Sequence, residues 1–422
     1  MVALNNPFNG GTHLPDVTVI APVFDDTGLR FFVGNRGHHA DIGGITPGST
    51  PPGSTTLEQE GVVIDDFLLV DGGDFREAAF RELLAAARYP ARSPDTNVSD
   101  IRAQIAANRA GIAEAQGLVA HYGWAMVSAY MGHVMANAEE SVRQVIDRLH
   151  DGSFTGKLDN GRALTAAVRV DRANRRAVID LTGTGAQDDG NFNAPPAVAR
   201  AVVLYVFRCL VGSELPLNEG CLKPLEIIIP EASFLSPERG RAVVAGNTEV
   251  SQALANALLA ALGACAAGQG TMNNLLFGND RFQYYETICG GSGAGAAFNG
   301  ADAVHTHMTN TRITDPEVLE TRYPVRLEAF AIRRGSGGAG THHGGNGAVR
   351  TIRMLEPVTV SLVSSSRVLP PFGLQGGQAG AAGEQFVERA DGRRETLSGV
   401  TQAELAAGDA ITLFTPGGGG FG

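Results

Sequence analysis

The sequence predicts a mixed α/β (α+β) fold: a β-hairpin region first, a helical middle and a β-rich C-terminal region, with neither a Rossmann nor a P-loop unit. Three observations carry this expectation. Two strand-like runs, Val17 to Phe24 and Leu29 to Val33, flank Asp25-Asp26-Thr27-Gly28, a hairpin turn signal. From Ser99 to Leu149, Ile101, Ile105, Ile112, Leu118 and Val119 sit at roughly helical spacing. Beyond Tyr323, short alternating runs such as Val358 to Val363 and Ala410 to Phe414 are divided by Gly-rich turns. Four segments follow: a β-rich N-terminal site region over 1–74, a helical region over 75–155, a mixed α/β core over 156–330 and a β-rich region over 331–422.

Composition narrows the function classes. A chain of 422 residues, 43% hydrophobic and 18% charged, can bury a sizeable core. Glycine, 55 residues, is nearly twice its usual share of ~7% and lies in turn-like clusters without a collagen period. The net charge of −11 argues against nucleic acid or an anionic membrane as a nonspecific partner. Cys209, Cys221, Cys265 and Cys289 are widely spaced without a CxxC pair, which suits a reducing cytoplasm. Met1 to Gly10 has neither the basic nor the apolar part of a signal peptide, and no apolar run reaches the ~18 residues of a membrane span. A cytoplasmic protein is expected.

In chain order, the hairpin comes first, and a turn between its strands brings the residues before the first and after the second side by side. Ile45 to Glu60 is a Pro/Gly/Ser/Thr-rich loop. Phe75 to Tyr89 is a helix with an apolar stripe at Phe80, Leu83, Leu84 and Ala87, broken by Pro90 to Asn97. The long helical section then starts with Ser99 or Asp100 as its cap, and His121, Tyr122, Trp124 and Met131 are expected on its core or packing face. Gly152 to Leu158 (GSFTGKL) is one residue too short for a P-loop, and Leu158 stands where Ser or Thr would bind magnesium. Leu164 to Thr184 is a second hairpin about Arg172 to Arg175. A helix over Val198 to Val211, a strand over Leu225 to Ile229, a polar start at Gly246 to Glu249 and then a small-residue helix through Ala264 follow.

The densest chemistry lies at the hairpin. His13-Leu-Pro-Asp16 and His38-His39-Ala-Asp41 place two imidazole/carboxylate pairs at one end of the ribbon, a donor set suited to Mn, Fe or Zn. The alternative is that these pairs cap polar loops. A second polar concentration runs from Gln269 to Pro316. His305-Thr306-His307 on a strand would aim both rings at one face, as metal ligands or as hydrogen-bonded loop residues. Arg312, followed by Asp315, suits an anionic substrate or phosphorylated intermediate. Gly290 to Gly295 could form a nest of N–H groups, but it is not a nucleophile elbow, because Ala294 stands where GxSxG needs glycine. Cys221 is a possible nucleophile or a buried structural thiol. Glu249 and Glu286 are candidate general bases, Arg312 and Asp315 their candidate catalytic companions. Asn193, Asn247, Asn273, Asn310 and Ser292 are candidate substrate-binding residues.

Nine segments, in order, resemble the hydantoinase B/oxoprolinase family: GGTHLPD, RGHHADIGG, GNFNAPPAVARAVVLYVFRCL, LPLNEGC, GNTEVSQ, QGTMNN, YYETICGGSGAG, HTHMTNTRITDPEVLETRYPVR and TPGGGGFG. The resemblance covers essentially the whole chain. It implies a B-type component of an ATP-dependent 5-oxoprolinase or N-methylhydantoinase. A hydantoinase A-type partner would phosphorylate the lactam oxygen with ATP and magnesium, and the B-type component would help open the ring with water, in a hetero-oligomer. It also implies a divalent metal on His13, Asp16 and His38 or His39, with Asp41 as a ligand or as a partner to one. Two further readings stand beside it: a subunit of an acetone- or acetophenone-type carboxylase, and a truncated, non-catalytic remnant or scaffold. The last arises because the family has a segment before the position of Asn5, so this chain is expected to be shortened at its start. Thr341-His342-His343 also stands where the family continues with basic residues.

Overall fold

The computed structural model describes residues 1–212, 214–309 and 311–422. The chain opens with β1 (Val2–Leu4), β2 (Asp16–Asp25), β3 (Gly28–His38) and β4 (Phe67–Leu68), an antiparallel sheet in the order β3-β2-β1-β4. Alternation in β2 turns Val17, Val19, Ala21 and Val23 inward. The turn forms as expected: Asp25 Oδ1 accepts the N–H of Thr27 and of Gly28, whose φ of +137° favours glycine. A small ribbon of β5 (Val70–Asp71) and β6 (Asp74–Phe75) leads into α1 (Glu77–Ala86), which buries Phe80 and Leu84 against this sheet.

The helical middle is α2 (Pro94–Tyr122) and α3 (Trp124–Ile146), divided at Gly123 with φ +78°. The helix starts earlier than the sequence suggests. Ser93 is its N-cap residue and Pro94 occupies the first turn, where its missing N–H costs nothing. Only the first part of α2, through Asn108, and the last part of α3, from Ala138, contribute buried residues. Tyr122 and Met131, expected to pack, are exposed.

The second sheet, β10-β9-β8-β7, contains β7 (Gly152–Lys157), β8 (Ala163–Asp171), β9 (Arg176–Asp180) and β10 (Leu225–Ile228). The GSFTGKL stretch is therefore an edge strand, not a phosphate loop. Strands β9 and β10 run parallel, and the connection between them carries α4 (Pro196–Val211). Against this sheet pack α4 and α5 (Ser251–Ala261), the latter entered through a π turn over Gly246–Val250, with Leu164, Ala166, Val202, Phe207, Leu254 and Leu258 in one core.

The last layers are β11 (Asn274–Gly278), β12 (Gln283–Thr287), α6 (Pro316–Arg322), β13 (Val325–Arg333), β14 (Gly347–Met354), β15 (Val358–Val363), β16 (Glu384–Glu388), β17 (Arg394–Thr396), β18 (Val400–Leu405) and β19 (Ala410–Phe414). They form two antiparallel sheets, β12-β11-β15-β18 and β13-β14-β19-β16-β17, with Leu275, Phe277, Val360, Leu362, Ile352 and Ile411 in a shared core. The C-terminal Gly-rich run threads between loops of this region: a Cβ on Gly418 or Gly419 would overlap the carbonyl of Ser292 or Phe372. Among the described residues, no helix is long and apolar enough to cross a membrane.

Candidate functional site

The β2–β3 register sets Asp16 directly opposite His38 at the open end of the hairpin. His13 enters from the turn before β2, where the N–H of Asp16 donates to the His13 carbonyl at 3.2 Å. The three side chains meet. His13 and His38 have ring centroids 5.3 Å apart, and His13 Nδ1 lies 3.3 Å from Asp16 Oδ2. That approach is electrostatic rather than an aligned hydrogen bond, and it leaves the buried Nδ1 without a hydrogen-bond partner. Among the described residues, His13, Asp16 and His38 are the one group of three metal-type ligands that offer a donor atom each within 4.8 Å of one another.

Electrostatics keeps Asp16 and His38 in ligand form. Burial works to raise the Asp16 carboxyl, but His13, with His38 and Arg36, outweighs it and holds Asp16 at about 2. His38 keeps exposed surface yet is ringed by protein, and desolvation, reinforced by His13, pushes it down to about 4. Near neutral pH the pair is carboxylate and neutral imidazole.

Behind the trio stands a wall from far along the chain. Tyr285 on β12 stacks on His38, with centroids 5.5 Å apart and planes 18° from parallel. Its hydroxyl donates to Asn274 Oδ1 at 2.8 Å, and Asn274 Nδ2 donates to Glu249 Oε1 at 2.9 Å and to the Val363 carbonyl at 2.6 Å. Glu249 also accepts the Met272 N–H, while its Oε2 is buried without a partner. Burial pushes Glu249 up to about 7 and raises the Tyr285 phenol, to which Glu249 and Asp16 add. Sequence alone does not single out Tyr285 or Asn274, although they lie in the YYET and QGTMNN segments. The signal that could have found Tyr285 is strand alternation, which puts it on the opposite face from Tyr284 and Glu286.

The other expected residues lie elsewhere. His39 alternates to the far face of the hairpin and is fully buried against α2, where Asn97 Nδ2 donates to its Nδ1 and its Nε2 meets Gln104 Oε1 at 3.3 Å. Of the two adjacent histidines, His38 joins the cluster and His39 is a packing residue. Asp41 is a latch: it accepts the N–H groups of Gly43, Gly48 and Arg92 and pairs with the Arg92 guanidinium at 2.9 Å. Glu286 faces the core between the last two sheets in a buried two-point pair with Arg350, at 2.6 and 2.8 Å. Asp315 caps α6 and Arg312 is exposed. Asn193 ties the Asp188–Gly190 turn to the Ala242 carbonyl, and Asn273 joins Gln269 to Arg367. Ser292 accepts the Ala301 N–H, while Asn247 lies in the π turn, half-buried. Asn310 lies outside the described residues.

Two weaker motifs resolve into structure. His307 has both ring nitrogens engaged, by Tyr205 and Asn256. The N–H groups of Gly290, Gly291, Ser292, Ala294 and Gly295 all donate to carbonyls, so that loop is not an open nest. Cys221 is fully buried in the core.

Comparison with known proteins places the whole chain. The profile of the family described as Hydantoinase B/oxoprolinase matches residues 1–422. The chain is 46% identical over 449 residues to 5-oxoprolinase 1 of Arabidopsis thaliana, an alignment covering 100% of this chain and 35% of that protein. It thus spans about a third of that relative's length. Two solved structures share its fold across 100% of this chain: ATP-dependent caprolactamase from Pseudomonas jessenii, at TM-score 0.88, 22% identity and 77% of that chain, and nucleotide-free acetone carboxylase, at TM-score 0.86, 17% identity and 64% of that chain. With the family profile matched from first residue to last, the chain belongs to the hydantoinase B/oxoprolinase family.

Proposed function

We propose that this chain is the ring-opening component of an ATP-dependent cyclic amide hydrolase, acting on a 5-oxoproline or hydantoin-like ring. An A-type companion, as a separate subunit or as a fused part, first phosphorylates the lactam oxygen with ATP. The single observation that carries this reading is the convergence of His13, Asp16 and His38 at one end of the hairpin. The fit to a divalent ion rests on the donor set, two imidazoles and one carboxylate, and on the orphaned His13 Nδ1. Such an ion, when bound, supplies Lewis acidity toward a carbonyl or phosphoryl oxygen, or a water of lowered pKa.

The chain's own residues supply orientation and proton handling. Tyr285 holds the His38 ring from one side, and Asn274 fixes the Tyr285 hydroxyl. Ring opening requires a base for one proton of the attacking water and an acid for the departing ring nitrogen. Glu249 suits both roles: burial brings it to about 7, and its Oε2 has no partner. Glu286 does not, because Arg350 occupies both its oxygens. The identity to a 5-oxoprolinase favours this reading over a carboxylase, for which the likeness is one of fold alone.

The test combines elemental analysis with reconstitution. Wild type is expected to carry one divalent ion per chain and, with its A-type partner and ATP, to open 5-oxoproline or a hydantoin. His13→Ala and Asp16→Ala should lose the ion and lower turnover more than about 100-fold, since loss of even an outer partner of a metal ligand costs 10–100-fold. Bicarbonate-dependent turnover of a ketone would replace this reading with a carboxylase. A stable complex without turnover on either substrate would make the chain a scaffold.

A further inference from the structure

Glu249 is fully buried, yet an acid–base group has to be reloaded with protons. Hydrolysis of the phosphorylated ring consumes two waters. Of their four protons, three end on the former ring nitrogen and one on the released phosphate, while the ring carbon becomes a carboxylate. A carboxyl that carries one proton at a time must give up and regain it between these transfers.

The structure supplies a route for that exchange. Glu249 Oε2 and Ser365 Oγ are both buried, and neither has a hydrogen-bond partner. They are neighbours: the Ser365 N–H donates to Thr271 Oγ1 at 3.2 Å, and the next residue, Met272, donates its N–H to Glu249 Oε1 at 3.1 Å. Burial raises the Glu249 carboxyl, while the Thr271 hydroxyl, the Met272 N–H and the Ser365 hydroxyl beside it pull the other way. On its other side Ser365 lines a cavity of about 80 Å³ between β7, α5 and the 366–372 loop. One water needs roughly 10–15 Å³, so a short file of waters fits, with Asn256 and Ser366 as polar groups along the wall. Lys157 and Leu369, both exposed, stand at its mouth. Asp159 holds the loop there by accepting the N–H groups of Arg367 at 2.7 Å and Leu369 at 2.9 Å. No residue of the hairpin lines this cavity, so it is separate from the His13, Asp16 and His38 end. Among the described side chains that face Glu249, namely Thr271, Asn274, Tyr285, Ser365 and Arg367, Ser365 alone also lines the cavity.

We propose that Ser365 relays protons between Glu249 and water in this cavity. Its hydroxyl hydrogen passes to Glu249 Oε2 as Oγ takes one from a cavity water, which regains its own from solvent; the reverse transfer unloads the carboxyl. The relay rests on the acid–base role of Glu249 proposed above. The experiment reconstitutes the whole chain with its A-type partner, ATP and 5-oxoproline, in H2O and in D2O. Ser365→Ala is expected to lower kcat about 10-fold or more, with KM and metal content unchanged, and to raise the solvent isotope effect on kcat about twofold as reloading becomes limiting. Ser365→Thr keeps the hydroxyl and should restore kcat. Ala253→Leu, which fills the cavity from α5, should reproduce the Ser365→Ala effect with Ser365 intact. A second readout needs neither partner nor substrate: the infrared band of the Glu249 carboxyl, assigned with Glu249→Gln, should take up deuterium about 10-fold more slowly in Ser365→Ala than in wild type. Unchanged exchange and unchanged kcat in Ser365→Ala overturn the relay, as does an equal loss in Ser365→Ala and Ser365→Thr. Full turnover in Glu249→Gln instead overturns the acid–base role beneath it.

Discussion

Tyr285 shows what one side chain contributes to the site. Its ring stacks on His38 and its hydroxyl reaches Asn274, so the two roles can be separated. Tyr285→Phe keeps the stacked ring and is expected to retain the metal while lowering turnover about 10-fold, within the range for outer partners of metal ligands. Tyr285→Ala should weaken metal binding as well. Equal metal loss in both variants would show that the hydroxyl, not the ring, holds His38. Glu249 and Glu286 make a second contrast, because both are buried carboxylates. Glu286→Gln leaves Arg350 as a buried charge without its counterion and should destabilise the fold by about 3–5 kcal/mol. Glu249→Gln removes no ion pair, so turnover should fall while the urea midpoint changes little. From the sequence the two were equivalent candidates; only the position of Arg350, 64 residues on, distinguishes them.

At the scale of elements, the hairpin was the most legible part of the chain. Its alternation, its turn residues and its flanking motifs are all local, and the register that pairs Asp16 with His38 follows from them. The choice between His38 and His39 was not local. It depends on which face of β3 is covered by α2, through Asn97 and Gln104. The loop after the hairpin is held by a different device. Glu60 ends the short turn Leu57–Glu60 and accepts the N–H groups of Val243 and Val244 and the Ser54 hydroxyl, joining the first sheet region to the entry of the π turn. Burial pushes its carboxyl from 4.5 up to about 7, so the folded state binds its proton more tightly than the unfolded chain. The stability it contributes is complete below pH 4.5 and is lost as pH rises through 7, by on the order of 3 kcal/mol. Urea unfolding at pH 5 and pH 7.5 should show this loss in wild type and a smaller one in Glu60→Gln. Identical pH slopes in the two proteins would remove Glu60 as its source.

For the whole molecule, the site is an assembly of three regions: the hairpin end, the π turn that carries Glu249, and strands β11 and β12 of the last layers. A ligand held by such a site is held only by the folded chain. Adding a divalent ion at a hundredfold excess over its Kd should therefore stabilise the protein by about 2.7 kcal/mol, and a chelator should reverse the gain. Calorimetry with and without the ion checks this, and His13→Ala should show no shift. The sequence by itself determined the family, the mixed α+β class, that Gly152 to Leu158 is not a phosphate loop, and the hairpin with His13, Asp16 and His38, because motif order, periodicity and turn chemistry are written in neighbouring residues. Tertiary structure alone decided that Tyr285, Asn274 and Glu249 back this cluster, that Glu286 and Asp41 are neutralised by Arg350 and Arg92, and that the end of α2 and the start of α3 lie uncovered. These depend on which faces meet across hundreds of residues, and spacing along a chain does not encode that.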